Sequence, residues 1–228
     1  MEDRLSLISP RDGACNGVAE FARSRESAES LLHDLNQRVE NCLTIVSTLM
    51  GQQARDTVDP TARQAISTAQ GRLQALARCH KALLRQPRPD RLHVSAVIRD
   101  VAASLAVSWE ALDRGIDVSI GTDSAWMPPD TAIPLVLITN ELVSNALRYA
   151  FRGRTSGLVK VELRVQGPGL VLAVRDDGIG ISDKTLRSAG AGLKLIHEMA
   201  HQIGATVLFH REAGTTALVS VPLRNAAG

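Results

Sequence analysis

The stretch Asn140-Glu141-Leu142-Val143-Ser144-Asn145-Ala146-Leu147-Arg148-Tyr149-Ala150 decides the fold of this 228-residue chain. It lies in a segment from Pro134 to Phe151 that predicts a helix, with Glu141 and Asn145 four residues apart on one face. A carboxylate and an amide oxygen one turn apart can hold Mg²⁺ or orient a water beside a phosphate chain. Arg148 follows closely enough to offer a cation to the same phosphates.

A second segment supplies a turn suited to a purine base. Leu170 to Val174 is a short apolar run that predicts a strand, and Arg175-Asp176-Asp177-Gly178-Ile179-Gly180 follows it. Asp176 stands at the end of this strand, where an acid can accept a hydrogen bond from an adenine amino group. Gly178 and Gly180 let the backbone turn where a side chain would block the base.

A third segment, Gly190-Ala191-Gly192-Leu193-Lys194-Leu195, opens a helical pattern that runs from Leu193 to Ile203. The free N–H groups at a helix N-terminus suit phosphate, so Gly190, Gly192 and Leu193 are candidates for a backbone cradle. Taken singly, each of the three segments is more often surface helix or simple turn. Their order within one domain-sized stretch makes them reinforce one another.

In this order the segments resemble the N-, G1- and G2-boxes of the GHKL ATPases, the superfamily of histidine kinases, gyrase, a heat-shock chaperone and a mismatch-repair ATPase. Gly214-Thr215-Thr216 precedes a final strand from Ala217 to Val221 and fits the closing Gly-Thr element of that superfamily. The resemblance implies an ATP site in which Glu141 and Asn145 hold Mg²⁺ and Asp176 binds the adenine.

Composition limits the other classes of function. The net charge is +2 and no block of Lys and Arg stands out, so nothing indicates nucleic acid as a partner. The 3 cysteines, Cys15, Cys42 and Cys79, are odd in number and lack metal-ligand spacing, which is typical of a reduced, cytoplasmic protein. The sequence has neither a signal-peptide core nor an apolar run of about 20 residues, so we expect no membrane span.

The residues before the ATP-site segments predict a helical hairpin. The predicted domains are a loose lead-in at 1–17, the hairpin at 18–86, a linker at 87–93 and the catalytic ATP-binding domain at 94–224. Apolar residues of the first helix step by three and four and form a seam for packing against other helices: Leu32, Leu35, Val39, Cys42, Val46 and Leu49. A second helix, from about Thr61 to Arg85 with Asp59 or Thr61 as its cap, repeats this spacing. One hairpin cannot bury both seams, so we expect a homodimer with a four-helix bundle.

The fold class that follows is α+β. After the linker the sequence predicts a helix from Val94 to Leu112, a strand near Ile116 to Ile120, and then the elements of the ATP site. Strands late in the chain are expected to be antiparallel. The expected architecture is therefore an N-terminal antiparallel helical hairpin followed by an α/β sandwich of the GHKL type.

A helical hairpin in front of such a domain is the organisation of a sensor histidine kinase, and this chain resembles the HisKA_2 branch. There the first helix carries a stretch like E-L-x-H-R-V-K-N-x-L, and this chain reads Asp34-Leu35-Asn36-Gln37-Arg38-Val39-Glu40-Asn41-Cys42-Leu43. The second helix carries R-x-x-A-L-x-x-x-H-x-L-L, and this chain reads Arg72-Leu73-Gln74-Ala75-Leu76-Ala77-Arg78-Cys79-His80-Lys81-Ala82-Leu83-Leu84. The resemblance covers most of residues 30 to 222. It implies an ATP-dependent protein histidine kinase that passes phosphate to a response-regulator receiver domain.

The chain departs from this pattern at Gln37, where the family keeps its phosphoacceptor histidine. Glutamine has no nucleophilic nitrogen, so no phosphoramidate can form there. His33 lies one turn earlier on the same helix face, about 6 Å away by helix geometry, with Asp34 beside it to help deprotonate the imidazole. A displaced acceptor and a solvated helix histidine both fit His33. His80 stands on the apolar seam and is interpreted as a core histidine whose hydrogen-bonding groups are satisfied.

The sequence thus predicts a histidine kinase-like protein of two-component signalling that binds Mg-ATP and transfers or controls phosphate on a response regulator. Three alternatives stay open. The first is a nucleotide-binding regulator without autokinase activity, which sequesters or dephosphorylates a response regulator through the hairpin. The second is a phosphorelay phosphotransferase that uses His33, and the intact ATP boxes argue against it. The third is a serine kinase of the anti-sigma type, which lacks such a hairpin. Since about 17 residues precede the first helix, a signal is expected to come from a partner, from another chain, or not at all.

Overall fold

The computed structural model describes residues 12–85, 90–182, 186 and 190–222, apart from the side chains of residues 12–29 and of His33. The helices are α1 (Asp12–Asp56), α2 (Pro60–Leu84), α3 (Val94–Ser108), α4 (Pro129–Asn145) and α5 (Ala191–Gln202), with a short π-helix (Ala146–Ala150) directly after α4. The strands are β1 (Leu92–His93), β2 (Ile116–Thr122), β3 (Trp126–Met127), β4 (Gly157–Gln166), β5 (Gly169–Asp176), β6 (Thr206–His210) and β7 (Thr215–Pro222).

The chain divides into two compact units, Met1–Ile45 and Val46–Gly228. The first unit holds most of α1. The second holds the end of α1 together with α2 and all later elements, so α2 belongs to the same compact body as the sheet. Residues 1–11 of the predicted lead-in and residues 87–89 of the predicted linker lie outside the described residues. The rest of the lead-in, residues 12–17, is helical, because α1 begins at Asp12 rather than Val18, and the linker ends in the short strand β1.

The turn between α1 and α2 forms as predicted. Asp59 caps α2, because its carboxylate accepts hydrogen bonds from the backbone N–H groups of Thr61 at 3.0 Å and Ala62 at 3.1 Å. Pro60 occupies the first helical position, where its missing N–H costs nothing. Close to the turn, Gln70 Nε2 donates to the carbonyl of Ser47 at 2.9 Å, which pairs the two helices there.

A five-stranded sheet in the order β2-β4-β5-β7-β6 carries the second unit. The pair β2–β4 is parallel, and the remaining neighbours are antiparallel, as predicted for the late strands. Alternate residues of β4 point into the core, since Val159, Val161 and Leu163 are all fully buried. They belong to one hydrophobic cluster with residues of α3, α4 and α5, so helices cover this face of the sheet. The predicted hairpin and α+β sandwich are confirmed.

Several boundaries differ from the prediction. Helix α4 begins at Pro129, five residues before the predicted Pro134, because Pro129 also fits the first turn and Pro134 forfeits only one backbone hydrogen bond inside the helix. Helix α3 ends at Ser108 rather than Leu112. The strand β4 was not predicted, although its alternation of Val159, Val161, Leu163 and Val165 is a strand signal.

Among the described residues, none of the helices combines the length and the apolar content that crossing a lipid bilayer requires.

Candidate nucleotide site

Glu141 and Asn145 lie where the last turns of α4 meet the first turn of α5. Glu141 is buried, with 3% of its surface exposed. A Cβ atom added to Gly192 would stand 3.1 Å from Glu141 Oε2 and 3.6 Å from Asn145 Nδ2. Two segments that are about 50 residues apart in sequence therefore form one site, with a carboxylate and an amide beside a glycine-rich helix start.

Glu141 has a partner that the sequence reasoning did not assign to it. Arg72, on α2, donates from Nε to Oε1 at 3.1 Å and from Nη2 to Oε2 at 2.9 Å. Asn140 Nδ2 adds a third hydrogen bond, to Oε1 at 3.2 Å. The hydrogen bond to Glu141 raises the pKa of the Arg72 guanidinium, which is charged in any case. The pair is bidentate, the strong geometry for arginine and carboxylate.

Arg148 faces α2 and two aromatic rings. It lies in the π-helix, a feature that is frequent at functional sites. Its Nη2 donates to Thr68 Oγ1 at 3.2 Å, and its guanidinium carbon lies 5.0 Å from the ring centre of Trp109 and 5.6 Å from that of Tyr149. Stacking and hydrogen bonding thus orient this cation, and its proposed contact with phosphate stays a prediction.

Asp176 ends β5 and is 6% exposed. Its Oδ1 accepts hydrogen bonds from the backbone N–H groups of Gly178 at 3.0 Å and Thr215 at 3.2 Å. Burial raises the pKa of the Asp176 carboxyl, and these hydrogen bonds oppose part of that rise. The structure therefore joins Asp176, at the end of β5, to Thr215 of the Gly-Thr element. The sequence analysis had assigned both residues to one site.

The turn after β5 requires glycine at two positions. A Cβ on Gly178 would lie 2.2 Å from the carbonyl oxygen of Ala150, and Gly180 has φ +76°. The same Ala150 carbonyl accepts the N–H of Ile179 at 2.9 Å, which ties the turn to the end of the π-helix. A cavity of about 490 Å³ opens beside this turn and is lined by residues 178–182, Arg211, Ala213 and Gly214. Its size falls within the range of small-molecule sites.

Helix α5 presents its N-terminus to the same region. Gly190 precedes the helix and makes no side-chain cap, while Leu193 is buried beneath it at 6% exposure. The first intrahelical hydrogen bond runs from Lys194 N–H to the Gly190 carbonyl at 3.1 Å. The preceding amides at 191–193 have no partner within a helix, which is the arrangement that suits phosphate.

The candidate acceptor residues lie on α1, within the first unit. Asp34 and Gln37 are exposed, and the side chain of His33 lies outside the described part of the chain. His80, on α2, is half-buried as a seam residue would be. Its Nδ1 is buried and has no hydrogen-bond partner among the described residues. The predicted seam position is therefore confirmed, but the predicted hydrogen bonding of this nitrogen is not.

Three residues of the site were missed by sequence reasoning: Arg72, Thr68 and Trp109. Arg72 belonged to the family-like stretch of the second helix but carried no signal of a carboxylate partner 69 positions away. Thr68 stands four residues before Arg72, so both point from one face of α2 towards the α4 end. The four-residue spacing predicts that Thr68 and Arg72 share a face of α2. It does not indicate which residues that face contacts.

Comparison with known proteins matches two stretches of the chain to family models. Residues 34–109 match HisKA_2, a histidine kinase family. Residues 130–225 match HATPase_c, the histidine kinase-, DNA gyrase B- and HSP90-like ATPases. These ranges contain α2, the N-box helix α4, the turn after β5 and the N-terminus of α5.

Two of the relatives that the chain matches are also histidine kinases. The sensor histidine kinase PdtaS of Mycobacterium tuberculosis is 26% identical over 209 residues, which cover 88% of this chain and 41% of PdtaS. Blue-light-activated histidine kinase 2 of Erythrobacter litoralis is 30% identical over 112 residues, or 47% of this chain and 32% of that protein. This chain thus spans less than half the length of the relatives it matches. The solved histidine kinase domain of the Erythrobacter litoralis blue-light-activated kinase EL346 has the same fold, with a TM-score of 0.65 at 20% identity over 79% of this chain and 96% of that domain.

Proposed function

This chain belongs to the HisKA_2 histidine kinases of the GHKL superfamily, and on that premise we propose that it binds Mg-ATP and transfers or controls a phosphoryl group on a response-regulator receiver domain. One observation carries the proposal: Glu141, Asn145 and Gly192 converge at the N-terminus of α5. This places hard oxygen donors beside free backbone amides, as a magnesium–triphosphate group needs.

The residues present fit both Mg²⁺ and ATP. Glu141 and Asn145 would hold the metal and a water, and Asp176 would accept the adenine amino group. The buried Asp176 Oδ1 is held by two backbone N–H groups, so the carboxylate is oriented before any base arrives. Bound Mg²⁺ would neutralise phosphate charge during transfer, while positioning by the chain does most of the remaining work.

The acceptor in this proposal is His33, with Asp34 as the residue that assists its deprotonation. Gln37 stands at the family acceptor position on the same helix and is exposed to solvent. A glutamine amide cannot take up a phosphoryl group, so the autokinase reaction needs a different histidine. His33 is the one a single turn away.

A second candidate function is a nucleotide-binding regulator that acts on a response regulator without phosphorylating itself. Two observations favour it. Position 37 carries glutamine. The Glu141 carboxylate already accepts two hydrogen bonds from Arg72 and one from Asn140. In this case the hairpin would sequester the receiver domain or remove its phosphate.

Dimerisation through the hairpin is part of the proposal. Five large apolar side chains of the predicted seam are 43–59% exposed: Leu32, Leu35, Val39, Val46 and Leu49. A row of this kind at three- and four-residue spacing is typical of a helix face that packs against another helix. We expect a second copy of this chain to cover it.

The deciding experiment is incubation with γ-³²P-ATP and Mg²⁺, followed by treatment of the labelled protein with acid or base. Label that is lost in acid and kept in base indicates phosphohistidine, and the reverse pattern indicates phosphoserine. His33→Ala should abolish the label if His33 is the acceptor. Gln37→His tests the family position directly, because a new histidine there should take up label.

The outcomes separate the two candidate functions. Acid-labile label that disappears in His33→Ala supports an autokinase with a displaced acceptor. No label in the wild type, together with Mg-dependent ATP binding and label in Gln37→His, supports the nucleotide-binding regulator. Absence of ATP binding at millimolar nucleotide contradicts both.

A further inference from the structure

The ion pair between Arg72 and Glu141 joins the second helix of the hairpin to the proposed metal site. The Glu141 side chain is 4% exposed and that of Arg72 is 28% exposed. Arg72, which donates both hydrogen bonds to Glu141, lies on the same face of α2 as Thr68. Thr68 in turn accepts a hydrogen bond from Arg148. Helix α2 therefore contacts the proposed ATP site through the carboxylate on which metal binding depends.

The hydrogen bonds occupy most of the acceptor capacity of this carboxylate. An ionised carboxylate has about four lone-pair sites. Oε1 accepts Arg72 Nε and Asn140 Nδ2, and Oε2 accepts Arg72 Nη2. The Arg72 charge also neutralises the charge that would attract a cation. Mg²⁺ demands near-octahedral oxygen ligands at short distance, and it cannot share these positions with a bidentate guanidinium.

We infer that Arg72 is a positioning residue that competes with Mg²⁺ for Glu141, so that docking of α2 on α4 and metal binding at Glu141 oppose each other. The inference rests on the proposed function, since it takes Glu141 as part of the Mg-ATP site. By linkage the effect is reciprocal: release of Arg72 favours the metal, and the bound metal weakens the docking of α2. The hairpin would thereby set the Mg²⁺ concentration at which nucleotide binds.

The test is a Mg²⁺ titration of nucleotide binding, measured by calorimetry with a non-hydrolysable ATP analogue. The variants are Arg72→Gln and Arg72→Lys, with Arg78→Gln as the matched control. Arg78 lies on the same helix and donates to Ser104 on α3, so its loss removes one contact of α2 without touching Glu141. The same titration is made for Arg72→Gln in a Glu141→Gln background.

Arg72→Gln should lower the Mg²⁺ midpoint roughly tenfold, because loss of a charge-assisted bidentate pair frees the carboxylate. Arg72→Lys should lower it less, since lysine keeps the charge without the fork. Arg78→Gln should match the wild type, and Arg72→Gln should have no effect in the Glu141→Gln background. An unchanged or higher Mg²⁺ midpoint in both Arg72 variants would overturn the inference. If these proteins still bind the nucleotide analogue, the proposed function stands. Failure of the wild type to bind the analogue at any Mg²⁺ concentration would remove the proposed function, and the inference with it.

A second readout needs no nucleotide turnover. Cys79 lies on α2 with 1% exposure, so its alkylation rate reports how firmly α2 is docked. Arg72→Gln should raise this rate several-fold relative to Arg78→Gln. In the wild type, adding Mg²⁺ and the ATP analogue together should raise the alkylation rate of Cys79. Adding the analogue with EDTA should leave this rate unchanged. If Arg72→Gln does not fold, Arg72→Lys and the wild-type alkylation carry the test. An alkylation rate that ignores Mg²⁺ would contradict the opposition between docking and metal binding.

Discussion

The backbone N–H of Thr215 donates to Asp176 Oδ1 at 3.2 Å, and the two residues are also register partners between β5 and β7. The N–H of Gly178 donates to the same oxygen at 3.0 Å. One buried carboxylate oxygen thus holds the end of β5, the turn after it and the start of β7 together. This arrangement organises the proposed adenine site before nucleotide binds.

Asp176→Asn should separate this structural role from nucleotide binding. Asparagine keeps an Oδ1 acceptor for the two backbone N–H groups, so the fold should persist. Its NH₂ group cannot accept the adenine amino hydrogen bond, so nucleotide affinity should fall by about 1–3 kcal/mol. Calorimetric titration with ATP, alongside thermal unfolding, checks both points. Asp177→Asn, at the neighbouring residue that bonds the Leu158 amide, is the control and should bind ATP as the wild type does.

Nucleotide affinity should decrease on acidification at a higher pH than an ordinary aspartate would give. Burial raises the Asp176 pKa, and only the ionised form accepts the adenine hydrogen bond. Affinity is therefore retained above the raised pKa and lost as the pH falls through it. ATP titrations between pH 4 and pH 8 measure the midpoint. A wild-type profile with the same midpoint as that of Asp176→Asn would refute the assignment.

The same shift has the opposite sign for folding. A carboxyl whose pKa is higher in the folded state favours the folded state when it is protonated. This contribution to the free energy of unfolding is fully present below the unfolded pKa, about 3.9, and is lost as the pH rises through the raised value. Chemical denaturation of the wild type and of Asp176→Asn between pH 4 and pH 8 measures this effect. The free energy of unfolding of the wild type should fall relative to that of Asp176→Asn as the pH rises.

Gly178→Ala should destabilise the protein and weaken ATP binding together. The added Cβ would lie 2.2 Å from the Ala150 carbonyl oxygen, which also accepts the Ile179 N–H. Overpacking of this kind costs about 1–3 kcal/mol or more, because backbone must move. Gly190→Ala is the control for stability, since nothing lies within 4 Å of its Cβ position. Equal unfolding midpoints for the two variants would show that the turn accommodates a side chain.

The cysteines should differ widely in reactivity. Burial raises the pKa of the Cys79 thiol to about 12, whereas Cys42 is exposed. At pH 8 the thiolate fraction of Cys79 should be about a thousandfold smaller than that of an ordinary cysteine, and alkylation slower by at least that factor. Peptide mapping by mass spectrometry after timed alkylation distinguishes the two sites. Rapid labelling of Cys79 in the folded protein would mean that α2 is not docked in solution.

Leu35→Glu and Leu49→Glu should each weaken the homodimer. The two side chains are 49% and 53% exposed in the single chain, on the predicted seam. Burying a leucine contributes about 1.5–3 kcal/mol, and each substitution removes two copies per dimer, so the dissociation constant should rise more than about 100-fold. Analytical ultracentrifugation measures it. Val58→Glu, which is 87% exposed in the turn between α1 and α2, is the control and should leave the dimer intact.

Local patterns predicted the parts of this protein that depend on near neighbours in sequence. The three- and four-residue apolar spacing predicted α1 and α2, and of the two caps predicted for α2, Asp59 and Thr61, the structure has Asp59. The strand β5 and the glycine turn after it followed from a short apolar run and a DxGxG pattern. Strand β6 was missed because its five residues are too few for a clear period.

What the sequence by itself determined is the list of residues in the proposed site: the Glu141 and Asn145 pair, Asp176 with its turn, and the two glycines at the start of α5. These follow from helix and strand periodicities, which act over a few residues. Only the tertiary structure decided that Arg72 pairs with Glu141 across 69 positions of the chain. The reason is physical: the ion pair depends on how α2 docks on α4, and docking is set by the packing of whole helix faces, which no local spacing encodes.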